Sequence, residues 1–478
     1  CIANKRLPEI REICFKMGMQ NRSPSKQRAE LFQIGATEFG TRFRQYLSPR
    51  RLSAKLRCRA GRKQRSDVKI TDCDLIYGRV YHCMQAAGTA ATHVAGMCTH
   101  SLSESQVSRR CRSIGMAIFE WILGEILGAR ADRKREPEAF YQGLRLVGID
   151  GTLFSMFNTP SVLKQMSKAV SRRMKAAFAK LGVVALVELG THRPMAATIA
   201  RPGESEMAMA RRLIHQLPGG CLLLADRLYG VGKLLVAFLK LFAPGDNDFL
   251  VRVKRGKFKS RRLRRCRDGS ALLQVWGADP DGSGRVEFEV REIRGVVIGR
   301  GAKRTSLRLW TSLLDEDRFP ARQLLELYVE RWEIEISFKE LKIHLHGGAP
   351  LRSYTPETGR QEIASLLICQ AMLADLRMEA ARHGDIPVLR VSFMKVLHHV
   401  AALWEVFSWG GGSLSDPQKQ SMVRGMYKSL RRQISGPRRS RSCVRALRQT
   451  VTSWPRKLRN GLESHGSFRY EVSRQFSN

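Results

Sequence analysis

LRLVGID, residues 144–150, is an apolar run that stops on an aspartate. Its Leu, Val and Ile content and its shortness read as a strand buried on both faces. GVVALVEL (182–189) repeats the pattern, SEMAMARRLIHQL (205–217) has helical spacing, and CLLLAD (221–226) is a further buried strand that again stops on an aspartate. Strands and helices alternate through this region, which predicts an α/β domain. Open α/β sheets place their ligands beyond the carboxyl ends of strands. Asp150 and Asp226 are therefore expected to meet at one sheet edge.

A third carboxylate is expected from LYVERWEIEISFKELK, residues 327–342, which lacks Gly and Pro and reads as one helix. At about 100° per residue, Arg331, Glu335 and Lys342 fall within roughly 60° of Tyr328, with Lys339 at the edge of the arc. Ile334, Phe338, Leu341 and Leu327 make the apolar stripe beside it. Two Asp and one Glu form a hard, all-oxygen donor set suited to Mg²⁺ or Mn²⁺. Two such ions can activate a hydroxyl and stabilise the leaving oxygen of a phosphodiester. Arg331, Lys342 and the Tyr328 hydroxyl then suit phosphate oxygens.

The charge balance points the same way. The 478 residues carry 83 Lys plus Arg against 43 Asp plus Glu, a net charge of +40. Such an excess favours a polyanionic partner, nucleic acid first. No apolar run long enough to span a membrane and no signal-peptide pattern occurs, so a cytoplasmic protein is expected. Eleven cysteines without regular spacing do not form a disulfide framework. The cluster of Cys73, His82, Cys83, His93, Cys98, His100 and Cys111 lacks the C-x2-C pair of a zinc site. GVGK (230–233) and GRGAK (299–303) lack the spacing that cradles nucleotide phosphates.

Composition divides the chain into a basic segment over 1–66 and a helical domain over 67–135. A first part of the α/β core covers 140–245, and a β-rich insertion with short strand patterns covers 246–315. The second part of the core covers 316–408 and carries Glu335, and a basic tail covers 409–478. In the helical domain, Ser103 and Gln106 make a capping-box pattern opening the second half of a helix-turn-helix-like segment. Arg109 and Arg112 on that helix are candidate DNA contacts. GPRRSRS and SWPRKLRN in the tail are basic and suit a nucleic-acid backbone.

The spacing Tyr-x2-Arg-x3-Glu-x6-Lys, GIDGT around Asp150 and LLLADRLY around Asp226 resemble the DDE transposases of the insertion-sequence-four group. The resemblance covers roughly residues 70–460 and does not extend into residues 1–66. It implies an RNase H-like catalytic core interrupted by a β-rich insertion, with Asp150, Asp226 and Glu335 as the triad that holds two Mg²⁺ or Mn²⁺ ions. It implies that Tyr328, Arg331 and Lys342 contact phosphates near the cut. It further implies cleavage of double-stranded DNA at transposon ends and strand transfer into target DNA by a homodimer in a bacterial, nucleoid-associated setting. Some members of the group stack an aromatic of the insertion on a displaced base; Trp276 and Trp310 are the candidates, but an alternating strand buries one face, and core packing is the favoured reading for either. The rival expectations are a metal-dependent nuclease that cuts without joining and a non-catalytic DNA-binding repressor.

Overall fold

A computed structural model describes residues 48–60, 70–436 and 469–472, apart from 86–87, 98–99, 167, 171–174, 231, 243–245, 255–258, 280–283, 299–304 and 411–412. The basic stretches over 1–47 and within GPRRSRS and SWPRKLRN lie outside the described residues.

The sheet is built on β2 (Leu144–Met156). It pairs antiparallel with β4 (Lys175–Glu188), which in turn pairs antiparallel with β5 (Arg193–Ile199). On its other side β2 runs parallel to β6 (Cys221–Ala225), and β6 runs parallel to β7 (Asp248–Arg252). The order β5-β4-β2-β6-β7, with only β4 reversed, is the RNase H-like arrangement. All five residues of β6 are buried, because helices cover both faces of these central strands. The short strands β1 (Phe140–Tyr141) and β3 (Lys168–Val170) pair with β2 and β4.

The insertion extends this sheet instead of forming a separate body. β8 (Lys259–Arg265), β9 (Ala271–Ala278), β10 (Arg285–Ile298) and β11 (Thr305–Thr311) form an antiparallel meander whose last strand pairs with β7. β12 (Arg469–Val472) adds to β10. β7 is thus a strand of the core, and the insertion begins after Arg252 instead of at residue 246.

Before the sheet come α1 (Pro49–Ala60), α2 (Asp72–Cys83), α3 (Ala90–Met97), α4 (Glu104–Ile114) and α5 (Met116–Ile126). The capping box between Ser103 and Gln106 opens α4 as the sequence predicts. The sheet's own helices are α6 (Pro160–Gln165), α7 (Glu206–Leu213) and α8 (Gly232–Phe242). After the insertion follow α9 (Ala321–Val329), α10 (Trp332–Lys339), α11 (Pro356–Arg382), α12 (Phe393–Gly410) and α13 (Asp416–Arg432).

α11 is buried along nearly its whole length, which explains its lack of a single apolar stripe. It joins the amino-terminal helices to the core: Gln361 Nε2 donates to the Cys111 carbonyl at 2.8 Å and Cys369 Sγ to the Val80 carbonyl at 3.0 Å. α13 also belongs to this layer. Its Val423, Met426 and Leu430 are buried and its Tyr427 hydroxyl donates to Glu379 at 2.6 Å, so the region after residue 409 is more than a basic tail.

Candidate active site

Asp150 and Asp226 occupy successive positions on neighbouring strands, because Ile149 of β2 is paired with Ala225, the last residue of β6. β6 stops there, while β2 continues to Met156 alongside β4, with Leu351 bridged to its last residue. Asp150 therefore lies within a strand, not at its end, and the ligand edge is created by the early stop of β6. The Asp226 carboxylate accepts the Leu228 N–H at 2.6 Å, which fixes the turn that ends the strand.

Two glycines beside Asp150 admit close neighbours. A Cβ at Gly148 would stand 3.3 Å from Cβ of Ile334, so its absence lets α10 lie against the strand. A Cβ at Gly151 would stand 2.4 Å from Cδ of Glu206. Glu206, in the first turn of α7, is a fourth carboxylate of the site and accepts the Tyr229 hydroxyl at 2.7 Å. Nothing local in its sequence marks it: only the approach of α7 to Gly151 brings it in.

The segment after the insertion is not one continuous helix. Around Glu330 and Arg331 the chain uses bonds of the i to i−3 type, from Glu330 N to Leu327 O at 2.9 Å and from Glu333 N to Glu330 O at 2.9 Å. After Lys339 it widens into a π-helical turn over Glu340–Leu345. A uniform 100° step therefore fails at both ends. Arg331 and Glu335 stay together, with Arg331 Nη2 donating to Glu335 at 3.1 Å and Nη1 lying 3.8 Å from Asp150. Ile334, Phe338 and Leu341 are buried as expected, and Leu327 is partly buried.

Tyr328 is turned inward. It is buried and its hydroxyl donates to the carbonyl of Ala225 at 3.2 Å. Its hydroxyl ties α9 to the end of the strand that presents Asp226. Lys342, carried sideways by the π turn, lies with Nζ 5.7 Å from the centre of the Phe154 ring. Burial and then the neighbouring Lys180 lower its pKa. Lys180 itself donates to Ser155 Oγ at 2.7 Å. The two lysines thus flank the continuation of β2.

Lys339 is exposed on α10, and Arg109 and Arg112 are exposed on α4. Trp276 is half-buried on β9. Trp310 is 1% exposed, with its indole N–H donating to Glu292 at 2.8 Å, so it is a core residue and has no face to offer a base. Sequence reasoning also missed β8, in which all seven residues of KSRRLRR are exposed on the outer strand of the meander.

Electrostatics identify the site as one short of positive charge. Burial, followed by the charge of Asp226 and that of Glu206, pushes the Asp150 carboxyl up to about 7, against the Gly151 N–H and Arg331. A divalent cation relieves that repulsion, and three carboxylates supply a donor set of the right hardness. The residues present fit such an ion. Another cluster, Cys266, Asp268 and Glu316, brings its donor atoms within 4.8 Å of one another in the insertion. Its carboxylates are already engaged by Arg291, Arg264, and the N–H groups of Ala321 and Arg267.

The raised pKa gives a signed expectation for the metal-free protein. Asp150 favours its neutral form in the fold, so its contribution to stability is full below about pH 4 and is lost as pH rises through about 7. Asp150→Asn is expected to raise the thermal midpoint at pH 8 in chelator and to leave it unchanged at pH 4. An equal shift at both values would contradict the burial of an ionised carboxylate.

Residues 141–372, from β1 into α11, match the family model described as the transposase DDE domain. Over that stretch, about half of its length, this chain is similar to transposases of the DDE type. The transposase InsG of insertion sequence element IS4, from Escherichia coli K12, is 25% identical over 248 residues, 52% of this chain and 55% of InsG. The putative transposase InsZ of the same strain is 28% identical over 144 residues, 30% of this chain and 47% of InsZ. The matched region thus spans about half the length of these curated relatives. Among solved structures, a piggyBac transposase synaptic complex with hairpin DNA aligns with a TM-score of 0.44 at 9% identity, covering 81% of this chain and 84% of that one. No helix among the described residues is long and apolar enough to cross a membrane.

Proposed function

We propose that this DDE domain cuts double-stranded DNA at the ends of a mobile element and joins the freed 3′ hydroxyl to target DNA. What supports the reading is that Arg331 links Glu335, at 3.1 Å, to Asp150, at 3.8 Å, beside the point where β6 stops before Asp226. Asp150, Asp226 and Glu335 would hold the divalent ions, two Mg²⁺ or Mn²⁺. Such ions supply Lewis-acid stabilisation of the attacking and leaving oxygens.

The protein's own groups orient the phosphate. Arg331, held between Asp150 and Glu335, would meet a phosphate oxygen through its guanidinium. Lys342 and Lys180 lie further along β2, where they suit the strand leading away from the cut. Trp276 is the aromatic of the insertion still available to a displaced base, and Lys339, Arg109 and Arg112 extend the basic surface. Two copies, one for each end, would bring the ends together in the bacterial nucleoid.

β8 adds a backbone contact. Lys259, Arg261, Arg262, Arg264 and Arg265 stand on one exposed strand, whose position is five strand spacings from β6. At about 4.8 Å per spacing this is roughly 24 Å, the length of about seven base pairs. Replacing Lys259 and Arg262 together with Gln is expected to make the plot of log affinity against log salt shallower by roughly 1 to 2. Titrations at several salt concentrations measure this, and an unchanged slope would remove β8 from the DNA surface.

The reading is tested by incubating the protein with a labelled duplex carrying the DNA that flanks its coding sequence, an unlabelled target and Mn²⁺. Cutting at one position and a product containing both DNAs are expected. Cutting without the joint product would favour a nuclease, and protection without cutting a repressor.

A further inference from the structure

The catalytic helix α10 is short and is interrupted at both ends, so its rotation about its own axis must be set by side chains. Ile334 against Gly148 fixes how closely it approaches the sheet, but an apolar contact tolerates some roll. The face opposite Glu335 is unexpectedly polar. Glu333, Ser337 and Glu340, spaced four and three residues apart, form one buried stripe.

That stripe meets His192. This histidine stands at the tip of the hairpin between β4 and β5 with a φ of 60° and is 1% exposed. The hairpin is braced by Glu188, whose carbonyl accepts the His192 N–H at 2.9 Å and whose carboxylate accepts the Thr191 hydroxyl at 2.6 Å. His192 Nε2 lies 2.7 Å from Glu333 and Nδ1 2.8 Å from Glu340. A neutral imidazole would turn a lone pair toward one of these carboxylates, so the geometry is that of an imidazolium donating to both. Arg377 of α11 also donates to Glu340, at 3.2 Å. Between the two carboxylates, the Ser337 hydroxyl donates to the His192 carbonyl at 3.4 Å, and Gln370 reaches Ser337 Oγ at 2.9 Å.

We propose that His192 is a positioning residue for catalysis: bridging Glu333 and Glu340 across almost two turns, it fixes the roll of α10 and thereby the place of Glu335 and Arg331. The proposal rests on the DDE reading of the site. Its leverage follows from geometry, since a carboxylate roughly 6 Å from a helix axis moves about 2 Å for a roll of 20°. A misplacement of about 1 Å can cost on the order of 10²-fold in rate.

The test uses the full chain and two paired variants that keep the buried charge balanced. In His192→Gln with Glu333→Gln, the new amide still spans the gap by donating to Glu340 and accepting from the second amide. In His192→Asn with Glu333→Leu, the shorter side chain tolerates the positive φ but no longer bridges, and Glu340 keeps Arg377. Thermal midpoint, affinity for a cut-site duplex, single-turnover cleavage and the Mn²⁺ concentration for half-maximal rate are measured for each.

With both variants folded and binding DNA within about twofold of the wild type, the Gln pair is expected to cut within roughly fivefold of it. The Asn and Leu pair is expected to be slower by about 10–10²-fold and to need more Mn²⁺. Equal rates in the two pairs, or a rate loss matched by lost affinity, would overturn the proposal. If the Asn and Leu pair does not fold, the retained rate of the Gln pair still decides, because a strongly slowed but folded Gln pair contradicts bridging as the requirement. A wild-type chain that binds DNA and never cuts would instead refute the DDE reading itself.

Discussion

Glu335→Ala is expected to lower the rate of DNA cleavage by about 10³-fold or more while leaving the affinity for the cut-site duplex within about twofold. A bound metal supplies several kcal/mol of transition-state stabilisation, and about 4 kcal/mol corresponds to three orders of magnitude. The carboxylate is partly exposed and holds no part of the core, so folding should survive its loss. Arg331 keeps its other acidic neighbour, Asp150, 3.8 Å away. The local charge becomes more positive by one unit, which offsets any lost contact with a phosphodiester. Single-turnover cleavage and equilibrium binding, measured on the same duplex, separate the two effects. A variant that cuts at the wild-type rate would show that Glu335 holds no catalytic metal.

Arg193→Met is expected to destabilise the protein by about 3–5 kcal/mol, the cost of breaking a buried ion pair from one side. Arg193 is wholly buried at the start of β5 and donates to Asp375 of α11 through Nε at 2.6 Å and through Nη2 at 3.2 Å. It also donates to the carbonyl of Ile126 at 2.9 Å and to that of Gly128. One guanidinium therefore joins the amino-terminal helices, the core hairpin and the long central helix. Methionine fills much of the volume but satisfies none of these acceptors. Chemical denaturation monitored by far-UV circular dichroism reads the loss. Adding Asp375→Leu should return much of it, since a buried pair replaced by apolar side chains is often neutral. A single variant within about 1 kcal/mol of the wild type would mean that water reaches this junction.

What could be read from the sequence was what depends on local pattern. Runs such as CLLLAD declare a doubly covered strand, and two of them ending in aspartate declare a ligand edge, which is where Asp150 and Asp226 stand. The continuation of β2 through GTLFSM was harder to see, because glycine and polar residues there serve close packing and an exposed face instead of a buried strand. The breaks in the segment after the insertion were not legible, because a helical wheel assumes an unbroken helix and the tight turn at Glu330 and the π turn after Lys339 break that assumption. β8 was missed because Lys and Arg carry neither alternation nor β-propensity, and its pairing with β9 alone makes it a strand. Glu206 and His192 carry no local signal at all. Each enters the site through contacts between segments far apart in the chain, and only the fold reveals them.

The most direct measurement of the central claim is anomalous scattering from crystals grown with Mn²⁺. The account predicts density bounded by Asp150, Asp226 and Glu335, at the end of β6. Manganese found only at Cys266, Asp268 and Glu316, or absent from the triad at saturating concentration, would contradict it.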